Sequence, residues 1–150
     1  MTVSARKFVL KDILLIVIGL VPLVGAVSGA HYFMTRDQGL TVRGSFFAPE
    51  IVSSKEDLAR GLSGRDSIDR GAVMVFDFGS SGQHCMWMKD MKFAIDMVWL
   101  DDTKKVTAIE RNVTPSTYPQ SFCHDGKTVA EFAAGTADRV PLYIGDSLSY

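Results

Sequence analysis

Hydrophobic and polar positions divide the chain unevenly. Between Ile13 and Thr35 there is no Lys, Arg, Asp or Glu, whereas beyond Gly39 apolar residues come in short runs broken by Gly, Pro, Asp and Ser. A helix that crosses a bilayer needs roughly 20 apolar residues. Ile13 to Met34 supply that length, with His31 as a weakly polar interruption. Arg6, Lys7 and Lys11 precede the run, so the basic side stays in the cytoplasm and the C-terminal part of the chain lies outside. Pro22 and Gly25 are tolerated in such a helix. The same stretch also fits a cleaved signal peptide: a basic start, an apolar core, Pro22, and Ser28-Gly29-Ala30 as a cleavage site. Both readings carry one expectation. Residues 1–38 are a signal anchor or signal peptide with a short linker, and residues 39–150 are the extracytoplasmic domain. The protein is then single-pass with a cytoplasmic N-terminus, or secreted after cleavage.

Within that domain the pattern is mostly that of strands. Leu40 to Val52 reads as extended, with β-favouring Thr41, Val42, Phe46, Phe47, Ile51 and Val52 and a break at Pro49. Ser53 with Glu56, or Ser54 with Asp57, fits a capping box, so a short helix begins there and ends near Leu62, between Gly61 and Gly64. Ala72–Phe78 is an apolar run bounded by Gly71 and Gly79, with Ser80-Ser81-Gly82 as a loop. Ala94–Leu100 and Val106–Val113 flank the turn residues Asp101-Asp102-Thr103-Lys104 and predict a hairpin. Pro115 and Pro119 bracket a loop running to Gly126, after which Thr128–Ala133 and Pro141–Ile144 read as two more strands. Five or six short strands and one short helix, without βα alternation, predict a mainly β domain: a small antiparallel barrel or sandwich.

Charge sharpens the division. The whole chain carries 16 Lys/Arg against 17 Asp/Glu, a net charge of −1. Residues 1–38 hold four basic and two acidic side chains (+2), and residues 39–150 hold 12 and 15 (−3). A mildly acidic domain of this kind lacks the basic excess of a general nucleic-acid binder, and no nucleic-acid partner is expected. A length of 150 residues argues against two full-sized domains. There is no GxSxG elbow, phosphate-cradling loop, HExxH pair or EF-hand loop, so no catalytic residue, cofactor or metal is assigned.

Other residues invite a chemical reading. Cys85 and Cys123 are the only cysteines, and outside the cytoplasm they most simply form a disulfide. Their neighbours His84 and His124, with Met86, Met88 and Met91 close by, offer a soft-metal alternative through Cys85, Met86, Met88 and Cys123. Against it, adjacent strand residues face opposite sides and the spacing is not that of a zinc site. From Cys85 to Lys89, alternation puts Met86 and Met88 on one face, with Cys85, Trp87 and Lys89 on the other. Trp87 then packs beside the disulfide or forms a stacking wall for a ligand. Asp96 and Glu131 each sit inside an apolar strand. Either they face water, or they point inward and need a cation or several donors. Arg60, Arg65, Lys89 and Lys92 are the available cations.

These residues also carry a resemblance. The stretch Arg60-Gly61-Leu62-Ser63-Gly64-Arg65, then Gly71–Phe76, Trp87-Met88-Lys89-Asp90-Met91, Ile95-Asp96, Leu100-Asp101, Val113-Thr114-Pro115, Glu131 with Ala134-Gly135, and Gly145-Asp146 occur in order. Together they resemble the bacterial and archaeal family known as domain of unknown function 192, over roughly Val42 to Leu148. Ser63, Asp90-Met91 and Ala94 depart from the family's usual Met, Asn-Thr and Pro. The resemblance implies a compact, mostly β domain, often behind a signal or anchor, and brings no activity with it.

The functional expectation is a membrane-tethered or exported binding module of the cell envelope, more a binder than an enzyme. Its candidate ligand surface combines Arg60, Arg65, Trp87, Lys89, Asp96 and Glu131. Trp87 stacks, the cations hold an anionic group, and the carboxylates orient them. The partners are the membrane, through the N-terminal helix, and an envelope ligand or protein. The main rival is an envelope hydrolase using Asp96 and Glu131 as an acid/base pair, which requires the two carboxyls to meet.

Overall fold

The computed structural model describes residues 39–150. The anchor or signal helix expected at 13–34 lies outside the described residues. No described helix is long and apolar enough to cross a membrane. The elements are β1 (Leu40–Val42), β2 (Ser45–Val52), α1 (Lys55–Arg60), β3 (Ala72–Trp87), β4 (Ile95–Leu100), β5 (Val106–Val113), β6 (Ser121–Ala133) and α2 (Thr136–Arg139). One 3-10 turn, Pro115–Thr117, lies between β5 and β6.

The strands form one six-stranded sheet in the order β1-β2-β3-β6-β4-β5, curled into a half-barrel. The mainly β expectation holds, but the closed barrel or two-sheet sandwich gives way to a single sheet. Its pairing is antiparallel except for β2 beside β3, which run parallel. A parallel pair needs a crossover that returns the chain to the same end, and residues 53–71, with α1, supply it. This one β-α-β step is the exception to the expected absence of βα alternation. Ser54 caps α1: its Oγ accepts from the Asp57 N–H at 3.1 Å and donates to the Asp57 carboxylate at 2.7 Å.

Both faces of the sheet are covered. Leu40, Val75, Val98, Leu100, Ala130 and Phe132 pack one core, closed by Leu142 and Leu148 from the C-terminal segment. Met74, Phe76, Met97, Trp99 and Val129 pack the other, closed by Leu58 and Leu62 and by Met88, Met91 and Phe93. Two-sided burial explains why β4 reads as an almost unbroken apolar run: all six of its residues are buried.

Three stretches differ from the sequence expectation. The first is β3, which continues past Phe78 to Trp87 through the supposed loop at 80–82, by a register shift between Asp77 and Gly82. The second is its partner β6, which begins at Ser121, so residues 121–126 are strand rather than loop. Gly82 lies opposite Gly126, and a Cβ on Gly126 would come within 2.9 Å of the Leu100 carbonyl oxygen. Gly126, which looks like a loop signal, is thus accommodating a close strand approach, whereas Gly82 has open space around it. The third is Pro141–Ile144, which is not a strand. Leu142 is buried as a plug, and Asp146 turns the chain by accepting from the Tyr143 N–H at 2.9 Å. Isolated bridges then tie Ser149 to Thr41 and Ser147 to Lys105.

The β4–β5 hairpin forms as expected. The Asp101 carboxylate accepts from the Lys105 and Thr103 N–H groups and the Thr103 hydroxyl, at 2.7–2.9 Å. These bonds, the Lys105 amide foremost, hold its carboxyl below the usual range.

Candidate functional site

The Arg60-Gly61-Leu62-Ser63 stretch turns the chain sharply at the end of α1. Gly61 has φ = 48°, and a Cβ there would stand 3.0 Å from the Phe76 ring. Glycine is what lets the turn lie against β3. Leu62 then drops into the core, and the Ser63 hydroxyl donates to the Lys89 carbonyl at 2.8 Å. The Gly64 N–H donates to the Asp90 carbonyl at 2.9 Å. The turn is thereby fastened to the segment after β3, and a cleft of about 280 Å³ opens between α1, β3 and Met91.

The walls of this cleft are apolar. Phe76, Phe78, Met86 and Trp87 come from β3, Leu58 from α1, and Leu62 from the turn. Trp87 is 44 % exposed, and Lys55 and Arg60 of α1 also line the cleft. Phe78 is stacked with the His84 ring, with centroids 3.9 Å apart.

One ionisable group enters from below. Glu131, on β6, is 4 % exposed and lines the cleft. Its cross-strand neighbours are Met74 on β3 and Met97 on β4. Among the described residues no side chain or backbone donor reaches its carboxyl within hydrogen-bonding distance, and no cation pairs with it. Burial alone pushes its pKa up to about 8. At neutral pH the cleft is therefore floored by a carboxyl held largely in its protonated form, with its oxygens open to the cleft rather than sealed in the core.

Asp96 has the opposite fate. It is fully buried, but its two oxygens accept from the Asn112 N–H at 2.8 Å and the Ala137 N–H at 2.7 Å. Gly135 begins α2 without a capping side chain, and Asp96 reaches across to serve that helix start. It lies opposite Phe132, whereas Glu131 lies opposite Met97. Neighbouring positions alternate faces, so the two carboxyls point to opposite sides of the sheet. The acid/base pair that a hydrolase would need is not formed.

The candidate cluster thus divides. Arg60, Trp87 and Glu131 share the cleft. Arg60 is itself held by Asp57 at 2.7 Å. Arg65 is taken by Glu50 through two bonds of 2.6 and 2.8 Å and lies along a separate shallow depression. That bidentate contact lowers the Glu50 pKa and raises that of Arg65. Lys89 contributes its carbonyl to the loop and does not line the cleft. Lys92 pairs with Asp66 at 2.7 Å.

Cys85 and Cys123 lie directly opposite each other on β3 and β6 and form a disulfide, with Cα atoms 4.0 Å apart. Their sulfurs are consumed in that bond, which removes the thiolates from the soft-metal alternative. No cluster of three or more His, Cys, Asp or Glu suited to a metal occurs among the described residues. His84 and His124 also lie opposite each other, but His84 stacks on Phe78 while His124 contacts Glu110 at 2.7 Å. Phe76, Phe78, Leu58 and Leu62 were absent from the expected site. Their shared face could be traced only through the Phe76/Phe78 alternation and the glycine turn that brings Leu62 over it.

A small curled sheet carrying an apolar cleft with a nearly buried carboxyl in its lining defines a β-rich domain with a candidate recess. Residues 38–150 match the model of the DUF192 family, described as an uncharacterised ACR, and the chain belongs to that family. No curated protein sequence matches the chain. Among solved structures, one from Sinorhizobium meliloti 1021, described as a candidate transcription regulator, is similar with a TM-score of 0.68 at 25 % identity. The match covers 74 % of this chain and 89 % of that one. A protein of unknown function from Novosphingobium aromaticivorans gives a TM-score of 0.70 at 21 % identity, over 75 % and 84 % of the two chains. The second likeness shows the fold alone.

Proposed function

We propose that this domain is a ligand-binding module, held at the outer side of the cell membrane or exported, whose site is the cleft between Trp87 and Glu131. The observation that carries the reading is Glu131, almost fully buried, lining an open cleft and unpartnered there. Its oxygens open into the cleft, since no sealed side-chain oxygen or nitrogen lacks a partner among the described residues, so a ligand entering there meets a carboxyl largely stripped of water. The rest of the recess is apolar and aromatic around this one polar feature, which is the usual make-up of a small-molecule or side-chain pocket. The envelope setting is supported by the basic start, the uncharged run from Ile13 to Thr35, and the paired cysteines. The balance of −3 over residues 39–150 favours a small ligand over nucleic acid as the partner.

A fragment screen against the full chain, read through labelled methionine methyls, tests the site. Binders should shift Met86 and Met91 and change Trp87 fluorescence, and Trp87→Ala should weaken them about ten-fold. A screen with no response at those residues, or binders indifferent to Trp87→Ala, would overturn the reading. A phosphatase fused after Tyr150 should be active outside the cytoplasm. A fusion active only inside would remove the envelope setting.

A further inference from the structure

We propose that the cleft takes a primary alkylammonium group on an unbranched apolar stem, with the ammonium on Glu131 and the stem lying along Phe76, Met86 and Trp87. This rests on reading the cleft as a ligand site and narrows its chemistry.

A carboxyl in this position has two ways of being completed. As an acid it needs one acceptor; as a carboxylate it needs a cation or several donors. Among the described residues the floor supplies none of these, since the flanking cross-strand residues are Met74 and Met97. An ammonium brings three donors and a full charge in one compact head. The same head is attracted by the faces of aromatic rings, and Phe76, Phe78 and Trp87 all line the recess. A neutral alcohol or carbonyl would satisfy the acid form but gain nothing from those rings. An anion would use the single proton of the acid form but would face the electron-rich ring faces that line the recess.

The cleft's other charges sit on its α1 side, where Lys55 and Arg60 line it and Arg60 pairs with Asp57 at 2.7 Å. From β3 it faces Cys85, locked in the disulfide, and otherwise Phe76, Phe78, Met86 and Trp87. From β6 it faces only Glu131. Among the described residues Lys55 is the one lining cation without an ion pair, and Glu131 is the one acidic group that lines the cleft. The walls require the ligand to bring its own apolar stem, because a bare hydrated ion has nothing to replace its water. A volume of about 280 Å³ lies near the lower end for ligand pockets, which suits a short chain. Ion pairing requires Glu131 to give up its proton, so complex formation releases close to one proton at pH 6.5, well below the value of about 8 to which burial raises the free carboxyl.

Such a stem could belong to a free alkylamine or to a lysine side chain, and the test separates them. Calorimetry on the full chain at pH 6.5, in buffers of different ionisation enthalpy, would compare n-hexylamine, n-hexanol, hexanoate and a lysine blocked at both ends. The amine or the blocked lysine should bind at least about ten-fold tighter than hexanol, with proton release, and should shift Met86 and Met91. Whichever binds tighter identifies the source. Glu131→Gln should cost about ten-fold for the ammonium and leave hexanol unchanged; Trp87→Ala should weaken both. The proposal falls if hexanol or hexanoate binds as tightly, if no proton is released, or if ammonium binding survives Glu131→Gln. Hexanol bound at Met86 and Met91 without the amine would overturn the ammonium assignment and keep the cleft. Silence from every probe there would overturn both.

Discussion

Asp96 and Glu131 are one step apart in register on neighbouring strands, and both are buried, yet they do opposite things. Asp96 is enclosed by donors: two backbone N–H groups from separate elements converge on it at 2.7 and 2.8 Å. Glu131 is enclosed by methionines and opens onto a cleft. The sequence neighbourhoods are nearly alike, a carboxylate between two apolar residues. What separates a structural carboxylate from a chemical one here is the face it takes and whether the fold completes it. Burial by itself says neither.

The sharpest way to break the contrast is to remove each carboxyl. Asp96→Ala should destabilise the domain by about 4–5 kcal/mol in urea denaturation, because two buried N–H groups lose charge-assisted partners. Removing the disulfide with Cys85→Ala/Cys123→Ala should cost about 4 kcal/mol, by the loop-entropy relation for a separation of 38 residues. Hydrogen exchange should then rise first around the Glu131 cleft, which β3 borders, and less around Asp96. An equal rise on both faces would erase the distinction.

Glu131→Gln should do the reverse and stabilise. The folded state holds this proton up to about pH 8, against 4.5 for the unfolded chain. Between those values the folded state binds more protons, so stability is greatest below 4.5 and falls as pH rises towards 8. The amide avoids the loss, worth on the order of 3 kcal/mol at pH 7. Melting temperature against pH should therefore be flatter over that window in the variant than in the parent, and an unchanged slope would refute the assignment. The smallest effect concerns Arg65. Its bond with Glu50 is half-exposed, so Arg65→Ala should change stability by less than about 1 kcal/mol, diminishing with salt. It should also leave cleft binders unaffected, since Arg65 does not line the cleft.

Local chemistry made some of this fold readable in advance. Ser54 with Asp57 marked the start of α1, and Asp101 marked the β4–β5 turn, because each depends on residues within four positions of itself. The cysteines could be paired because there were only two. The extension of β3 through Gly79–Gly82 was hidden, since its partner strand lies some forty residues away and glycines with serines signal a loop when seen alone. Register was hidden for the same reason. Alternation can say that Asp96 and Glu131 each have a face, but only the β4–β6 pairing says that the faces differ. Of the residues singled out, Trp87, Glu131 and Arg60 line one cleft. Arg65, Lys89 and Lys92 were equally plausible as charges, and nothing local foretold that Glu50 and Asp66 would claim two of them.

The bridge between Thr41 and Ser149 joins the two ends of the described domain, with N–H to carbonyl bonds of 2.7 and 2.9 Å in both directions. Entry and exit of the chain therefore share one doorway. A domain built this way can be spliced into a loop of another protein, or circularly permuted with a short linker, without stretching its sheet. In engineering terms it is a cassette, closed on itself and transferable as a unit.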